Sequence, residues 1–143
     1  DEERAMMSGV TDAIAAGLVM SCHDISDGGL VTAVAEMLLS SPEDLAVGAE
    51  FRADACVDCA PERVESLAAA RAIFCENGGY VLEVAPEHVG EVGVMLTERG
   101  AWFVELGLTT AVPGLVIRGG VRVEISEDDM QKAWHSGASE LML

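Results

Sequence analysis

Basic residues are scarce: of 143 residues, 8 are Lys or Arg against 25 Asp or Glu, a formal net charge of −17 with histidine neutral. The cations are scattered and form no stripe. Binding nucleic acid by neutralising phosphates requires clustered cations, so that class of function is excluded. An anionic membrane surface is an unsuitable partner for the same reason.

Long apolar runs are also missing. None approaches the ~18 consecutive apolar residues of a membrane span, and the opening Asp1-Glu2-Glu3-Arg4 lacks the basic start of a signal peptide. A cytoplasmic location is therefore expected. The first residue is not methionine, which points to a piece of a longer polypeptide.

A second cysteine pair is absent as well. Only Cys56-Val57-Asp58-Cys59 has a metal-like or redox-like spacing, while Cys22 and Cys75 stand singly in different elements. A zinc site needs more ligands than that, so reduced, structural thiols are expected.

What is present is apolar bulk. Half of the residues are hydrophobic, enough to offset the entropy of ordering despite the charge, and residues 1–143 are expected to form a single domain. Met6, Val10, Ala13 and Ile14 recur at helical spacing before Gly17, a C-cap position. Leu18–Cys22 reads as a strand that enters a polar turn, and a second helix runs from Gly28 or Gly29 to Leu39. Leu45–Arg52 reads weakly as a strand. Pro61-Glu62 opens a helix whose Val64, Leu67 and Ala68 face the core.

Tyr80–Val84 alternates as a strand, and Pro86 starts a helix that ends at Gly100. Trp102–Leu106 reads as another strand. Gly119-Gly120 between two alternating runs signals a hairpin, and Ser126, three residues before Asp129, caps a last helix carrying Met130, Ala133 and Trp134. Helices and strands interleave, but the hairpin makes the sheet mixed, so an α/β layered domain is expected.

Dense chemistry is confined to His23-Asp24-Ile25-Ser26-Asp27-Gly28-Gly29, between a strand and a helix. A helix N-terminus offers unpaired N–H groups and a positive dipole to a phosphate. Asp24 and Asp27 would repel that phosphate unless a cation lay between, and magnesium binds through one or two carboxylates plus phosphate oxygens. The local logic is magnesium-phosphate. Composition alone leaves a second explanation open, with Ser26 or Asp27 a plain N-cap and Gly28-Gly29 a tight turn. His23 taken alone reads as a packed or capping histidine.

His-Asp-Ile-Ser-Asp-Gly-Gly-Leu at 23–30, with Ala35-Glu36-Met37 after it, resembles the phosphoribosylformylglycinamidine synthase family of PurL type, in its C-terminal domain. That family is a member of the aminoimidazole-ribonucleotide (AIR) synthetase superfamily. The resemblance runs along the chain through Leu18–His23, Phe74-Cys75-Glu76, Glu83–Pro86 and Asp129–Trp134. Thiamine-monophosphate kinase, selenophosphate synthetase and the hydrogenase maturation protein of this fold carry related turns. The family's Ser-Glu-Ser turn ending in Gly-Arg reads Cys75-Glu76-Asn77-Gly78-Gly79-Tyr80 here, so the arginine that could contact an anion is missing.

The resemblance implies a three-layer α/β/α domain with a mixed sheet, like the C-terminal domain of AIR synthase (PurM) and the last of four domains in the small form of the synthase. The enzyme it implies uses ATP and glutamine-derived ammonia to turn formylglycinamide ribonucleotide into the amidine, in purine biosynthesis. By the same resemblance Asp24 is a Mg2+ ligand, Ser26 with Gly28 and Gly29 binds ATP or ADP, and that nucleotide is auxiliary. No catalytic residue carries over, so the isolated domain is expected to be inactive. Implied partners are the N-terminal domains of the same synthase, a glutamine amidotransferase subunit and a small accessory subunit. A regulatory or scaffolding domain without chemistry is the alternative, as is a domain of one of the sister enzymes.

Overall fold

The computed structural model describes residues 2–42, 45, 47–56 and 66–140. Helix α1 (Glu2–Ala15) buries Gly9, Val10 and Ala13. It closes as expected around Gly17, whose N–H donates to the Ile14 carbonyl while Leu18 N–H reaches back to Ala13. This pair of bonds satisfies carbonyls that the last turn would otherwise leave open. The chain then enters β1 (Val19–Asp24), passes the polar turn and forms α2 (Gly29–Leu39).

Strand β2 (Gly48–Arg52) follows, then a 3-10 turn at Ala53–Cys56 and helix α3 (Ser66–Ile73). Strand β3 (Tyr80–Val84) has the limits its alternation gives. A 3-10 turn at Pro86–His88 leads into α4 (Val89–Glu98). The chain ends in β4 (Gly107–Thr110), β5 (Gly114–Arg118), β6 (Val123–Ile125) and α5 (Glu127–Glu140).

The expected α/β class with a mixed sheet is found, but the described strands divide between two sheets. β1 and β3 pair antiparallel, with Cys22 opposite Leu82 and Asp24 opposite Tyr80. The other sheet has the order β4-β2-β5-β6, in which β2 and β5 are parallel and the outer pairs antiparallel.

Two apolar clusters hold these layers. Leu30 and Val34 of α2, Phe51, Ala69 and Ile73 of α3, Leu115, Ile117 and Met130 form the first. Val10, Ala13, Leu18, Val92, Leu96 and Ala101 form the second, between α1 and α4. β3 serves both: Val81 packs on the first cluster, while Tyr80, Leu82 and Val84 pack on the second. Burying each large aliphatic side chain contributes about 1.5–3 kcal/mol, so the period-2 alternation of β3 fixes its register between two cores.

Several expectations need correction. Residues 102–106 form no strand; the strand begins at Gly107. Trp102 is 77% exposed, and the Phe103 ring lies against Gly93 of α4, where a Cβ would come within 2.6 Å of it. Phe103 there covers a helix, while Leu106 packs on the first cluster. On α3, Leu67 is exposed, and Ala69 with Ile73 faces the core. The Pro61-Glu62 helix start, Val64 and Cys59 lie outside the described residues. The glycine hairpin forms, but its last ladder pair is Ile117 with Val123, so Gly119-Gly120 sits in a longer loop. On α5, Met130 is buried while Ala133 and Trp134 are exposed.

Candidate functional site

The polar turn leaves the end of β1, and the structure sets a second turn, between α3 and β3, directly against it. Ile25 N–H donates to the Gly79 carbonyl at 2.9 Å. Gly28 N–H donates to Oε1 of Glu76 at 2.8 Å. A Cβ on Gly29 would lie 2.7 Å from the carbonyl carbon of Phe74 and 3.0 Å from the Cys75 nitrogen, so only glycine lets the two backbones approach this closely. Gly28 and Gly29 both have positive φ, 81° and 73°. His23–Gly29 and Phe74–Gly79, far apart in sequence, thus form one surface.

Gly28 is the N-cap of α2 and has no side chain to cap it with; its own N–H goes to the Glu76 carboxylate. Neither Ser26 nor Asp27 fills the plain capping role that composition had left open. Gly29 N–H donates to the Ser26 carbonyl at 3.0 Å, which tightens the turn. Ser26 and Asp27 are exposed, so the hydroxyl and the second carboxylate stand in solvent beside the helix start.

His23 is held at both ring nitrogens. Nδ1 lies 2.7 Å from the Asp24 carbonyl oxygen, and Nε2 lies 3.1 Å from Oε2 of Glu36 on α2. Each partner offers an acceptor oxygen to the ring nitrogen that faces it. Oδ1 of Asp24 is 3.6 Å from the same Nδ1, and the Asp24 side chain is 63% exposed. The structure therefore brings Asp24, Ser26, Gly28 and Gly29 to one end of β1, with Glu36 and Glu76 added from elsewhere.

Sequence reasoning gave no role to those two glutamates. Glu36 was visible only as part of Ala35-Glu36-Met37, and Glu76 only as one residue of a departing turn. No local spacing announces a contact made across 48 positions.

The cysteines are free among the described residues, namely Cys22, Cys56 and Cys75. Desolvation and the nearby Asp24 charge push the Cys22 thiol above its ordinary value, and desolvation with Asp54 does the same for Cys56. A thiol raised in this way stays protonated and is a poor nucleophile, but Cys22 and Cys75 are exposed, and only Cys56 packs on an apolar cluster as a structural thiol would.

Among the described residues no three His, Cys, Asp or Glu side chains converge into a metal cage. Magnesium needs no such cage when phosphate supplies most of its oxygens. An exposed Asp24 beside a helix start fits that kind of shared coordination, and it does not fit a metal held by protein alone.

Residues 1–120 match the family described as AIR synthase related protein, C-terminal domain. A phosphoribosylformylglycinamidine synthase subunit PurL from a Nocardioides species is 33% identical over 94% of this chain and 15% of its own length. The corresponding subunit of Methanothrix thermoacetophila is 27% identical over 98% of this chain and 17% of its own. The major tegument protein of Epstein-Barr virus is 36% identical over 68% of this chain, which is 6% of that protein. The chain thus spans less than a fifth of the curated relatives it matches. Among solved structures, PurL of T. maritima in complex with ATP superposes with a TM-score of 0.67 at 16% identity, over 90% of this chain and 21% of that one. The PurLQS structure from Thermotoga maritima gives 0.69 over the same shares.

Proposed function

The chain belongs to the AIR synthase related family, through its C-terminal domain, and from that membership we propose that it is the C-terminal domain of a phosphoribosylformylglycinamidine synthase. The observation that carries the reading is the joining of the His23–Gly29 segment to the Glu76 turn at the glycine-capped start of α2. In this reading the domain binds a nucleotide, and the whole enzyme uses ATP and glutamine-derived ammonia to convert formylglycinamide ribonucleotide to its amidine, in the cytoplasm.

Asp24 would hold Mg2+ together with the nucleotide's phosphate oxygens; the ion, when bound, neutralises phosphate charge. Ser26 offers its exposed hydroxyl to a phosphate oxygen. Gly28 and Gly29 contribute backbone shape: a Cβ at Gly29 would meet the Phe74-Cys75 backbone of the second turn, and one at Gly28 would meet the Thr32 side chain of α2. His23, clamped between Glu36 and the Asp24 carbonyl, keeps the end of β1 in place beneath the carboxylate. No residue of this chain is assigned a catalytic role. The catalytic centre is assigned to N-terminal domains of the same synthase, with a glutamine amidotransferase subunit and a small accessory subunit as further partners.

A coupled assay on the full-length gene product tests this reading. ADP release that depends on both formylglycinamide ribonucleotide and ammonia supports it, and the 143-residue chain by itself should release none above background. Turnover by the isolated chain at even about 0.1 per second, a per cent of the usual enzyme scale, contradicts it.

A second reading is favoured by the identity to the viral tegument protein: a domain that keeps the fold as an assembly module without synthase chemistry. Absence of substrate-dependent ADP release from the full-length product, with the fold intact, selects that reading.

A further inference from the structure

We infer that Trp102–Glu105, with the groove it forms against α4, is a docking edge for a strand from the rest of the synthase polypeptide, apolar in character and bearing Lys or Arg. The inference rests on the reading above, that the chain is one domain of a longer enzyme, and names the surface by which it meets the remainder.

Residues 102–106 alternate in sequence as a strand does, yet they join no sheet. Among the described residues, the backbone N–H and carbonyl groups of Trp102, Phe103, Val104 and Glu105 make no hydrogen bond, and all of these residues are exposed. Backbone polar groups bond wherever they can, so a run of β-forming residues with its donors and acceptors open is a template for another strand. The run passes through Leu106 into β4. That strand ends the order β4-β2-β5-β6, so among the described residues its far side is open too.

Apolar side chains flank that open backbone. Val94, Trp102, Phe103 and Val104 are all exposed. Helix α4 buries Val92 and Leu96 in the second cluster, while its outer side, with Gly90, Val94 and Thr97, borders an open groove of about 380 Å3 against Phe103. The helix is thus apolar both where it is buried and where it is bare, as a helix between two layers is.

Charge selects the occupant. Glu98 and Glu105 line the groove, no Lys or Arg does, and the adjacent Arg99 is held by Asp12 of α1. A second copy would set these carboxylates against their own kind, on a molecule of formal charge −17, whereas an apolar strand bearing cations fills the groove and meets both acids. The same polypeptide is its source. PurL relatives match this chain over 15–17% of their length, so most of such a protein lies outside the matched domain. A tethered strand also arrives at high effective concentration, which lets a small patch suffice.

The test is hydrogen exchange on the full-length polypeptide, read residue by residue by fragmentation mass spectrometry. Strand addition turns every second N–H toward the added strand. Alternate amides within Trp102–Glu105 should therefore exchange about a hundredfold slower than an unstructured amide, although no described residue bonds them. That protection should not change on dilution. Glu98→Lys combined with Glu105→Lys should reduce it about tenfold at Trp102–Val104, the scale of turning two surface attractions into repulsions. Fast exchange throughout Trp102–Glu105 overturns the proposal, and the parent measurement decides this even if the double variant fails to fold. Protection that fades on dilution marks a second copy or a separate subunit and also overturns it, as does protection that the folded double variant keeps in full. Exchange needs no substrate, so the two readings fail separately. Full-length product that protects these amides without substrate-dependent ADP release keeps the docking edge and loses the synthase reading, and product that releases ADP with these amides unprotected does the reverse.

Discussion

At the scale of single residues, two glycines play roles that differ although their backbones agree. Gly17 and Gly29 share a φ of 73°, but a Cβ at Gly17 meets nothing within 4 Å, while one at Gly29 meets the backbone of Phe74 and Cys75. Gly17→Ala should therefore cost only the left-handed backbone penalty, about 1 kcal/mol. Gly29→Ala adds a clash that only a shift of the second turn can relieve, and should cost about 2–3 kcal/mol. In a thermal melt that difference corresponds to the alanine at Gly29 melting several degrees lower, about 3–6 °C below the alanine at Gly17. Equal losses would show that the two turns part without cost.

The site was legible in sequence only as far as its chemistry is local. Asp24, Ser26, Gly28 and Gly29 stand within six positions of one another, and strand-to-helix logic places them together. Glu76 reaches Gly28 from the other side of α3, and His23 finds Glu36 only after α2 has folded back over β1. Contacts of that kind follow from packing, which no short window of sequence records.

At the scale of elements, legibility tracks whether an element states its own ends. α5 does so: Asp129 N–H donates to Ser126 Oγ at 3.2 Å, and the hydroxyl donates in turn to the Asp129 carboxylate at 2.7 Å, a cap made by two residues three positions apart. Ser126→Ala should destabilise the helix by about 1 kcal/mol, seen as a matching loss in urea midpoint. Ser126→Asp should recover most of it, since a carboxylate also caps and suits the helix dipole.

The strand after α4 states nothing of the kind. Trp102 to Leu106 alternates in the way a strand does, yet Phe103 lies against α4, Leu106 packs on the first cluster, Trp102 is exposed, and the ladder begins only at Gly107, paired with Phe51. A glycine there is required because a Cβ would lie 2.0 Å from the Glu50 carbonyl oxygen. Apolar alternation records that one face is covered, and not what covers it. The division of the strands into two sheets was hidden for the same reason, since pairing partners are chosen in three dimensions.

At the scale of the whole molecule, charge dominates. Twenty-five carboxylates on 143 residues repel one another at neutral pH, and of the described cations four pair with acids, Arg99 with Asp12, Arg52 with Asp54, Arg118 with Glu50 and Arg122 with Glu124. Added salt screens the remaining repulsion, with a Debye length of about 10 Å at 0.1 M falling to about 3 Å at 1 M. The melting temperature should therefore climb with potassium chloride across that range, and a flat curve would mean that the acids are already compensated by their neighbours.

The central claim, that the end of β1 is a metal-dependent nucleotide site, is tested most directly by titrating Mg-ADP into the full-length polypeptide and its Asp24→Asn variant. Asparagine keeps the shape and one acceptor oxygen but loses the anion that magnesium requires. Ser26→Ala, run alongside, should weaken binding by only about 0.5–1.5 kcal/mol, the net worth of one hydrogen bond. The account predicts that Asp24→Asn abolishes metal-dependent binding while its melting temperature stays with the parent. Parent-like binding by Asp24→Asn, with only the melting temperature lowered, would contradict it and leave the turn a purely structural junction.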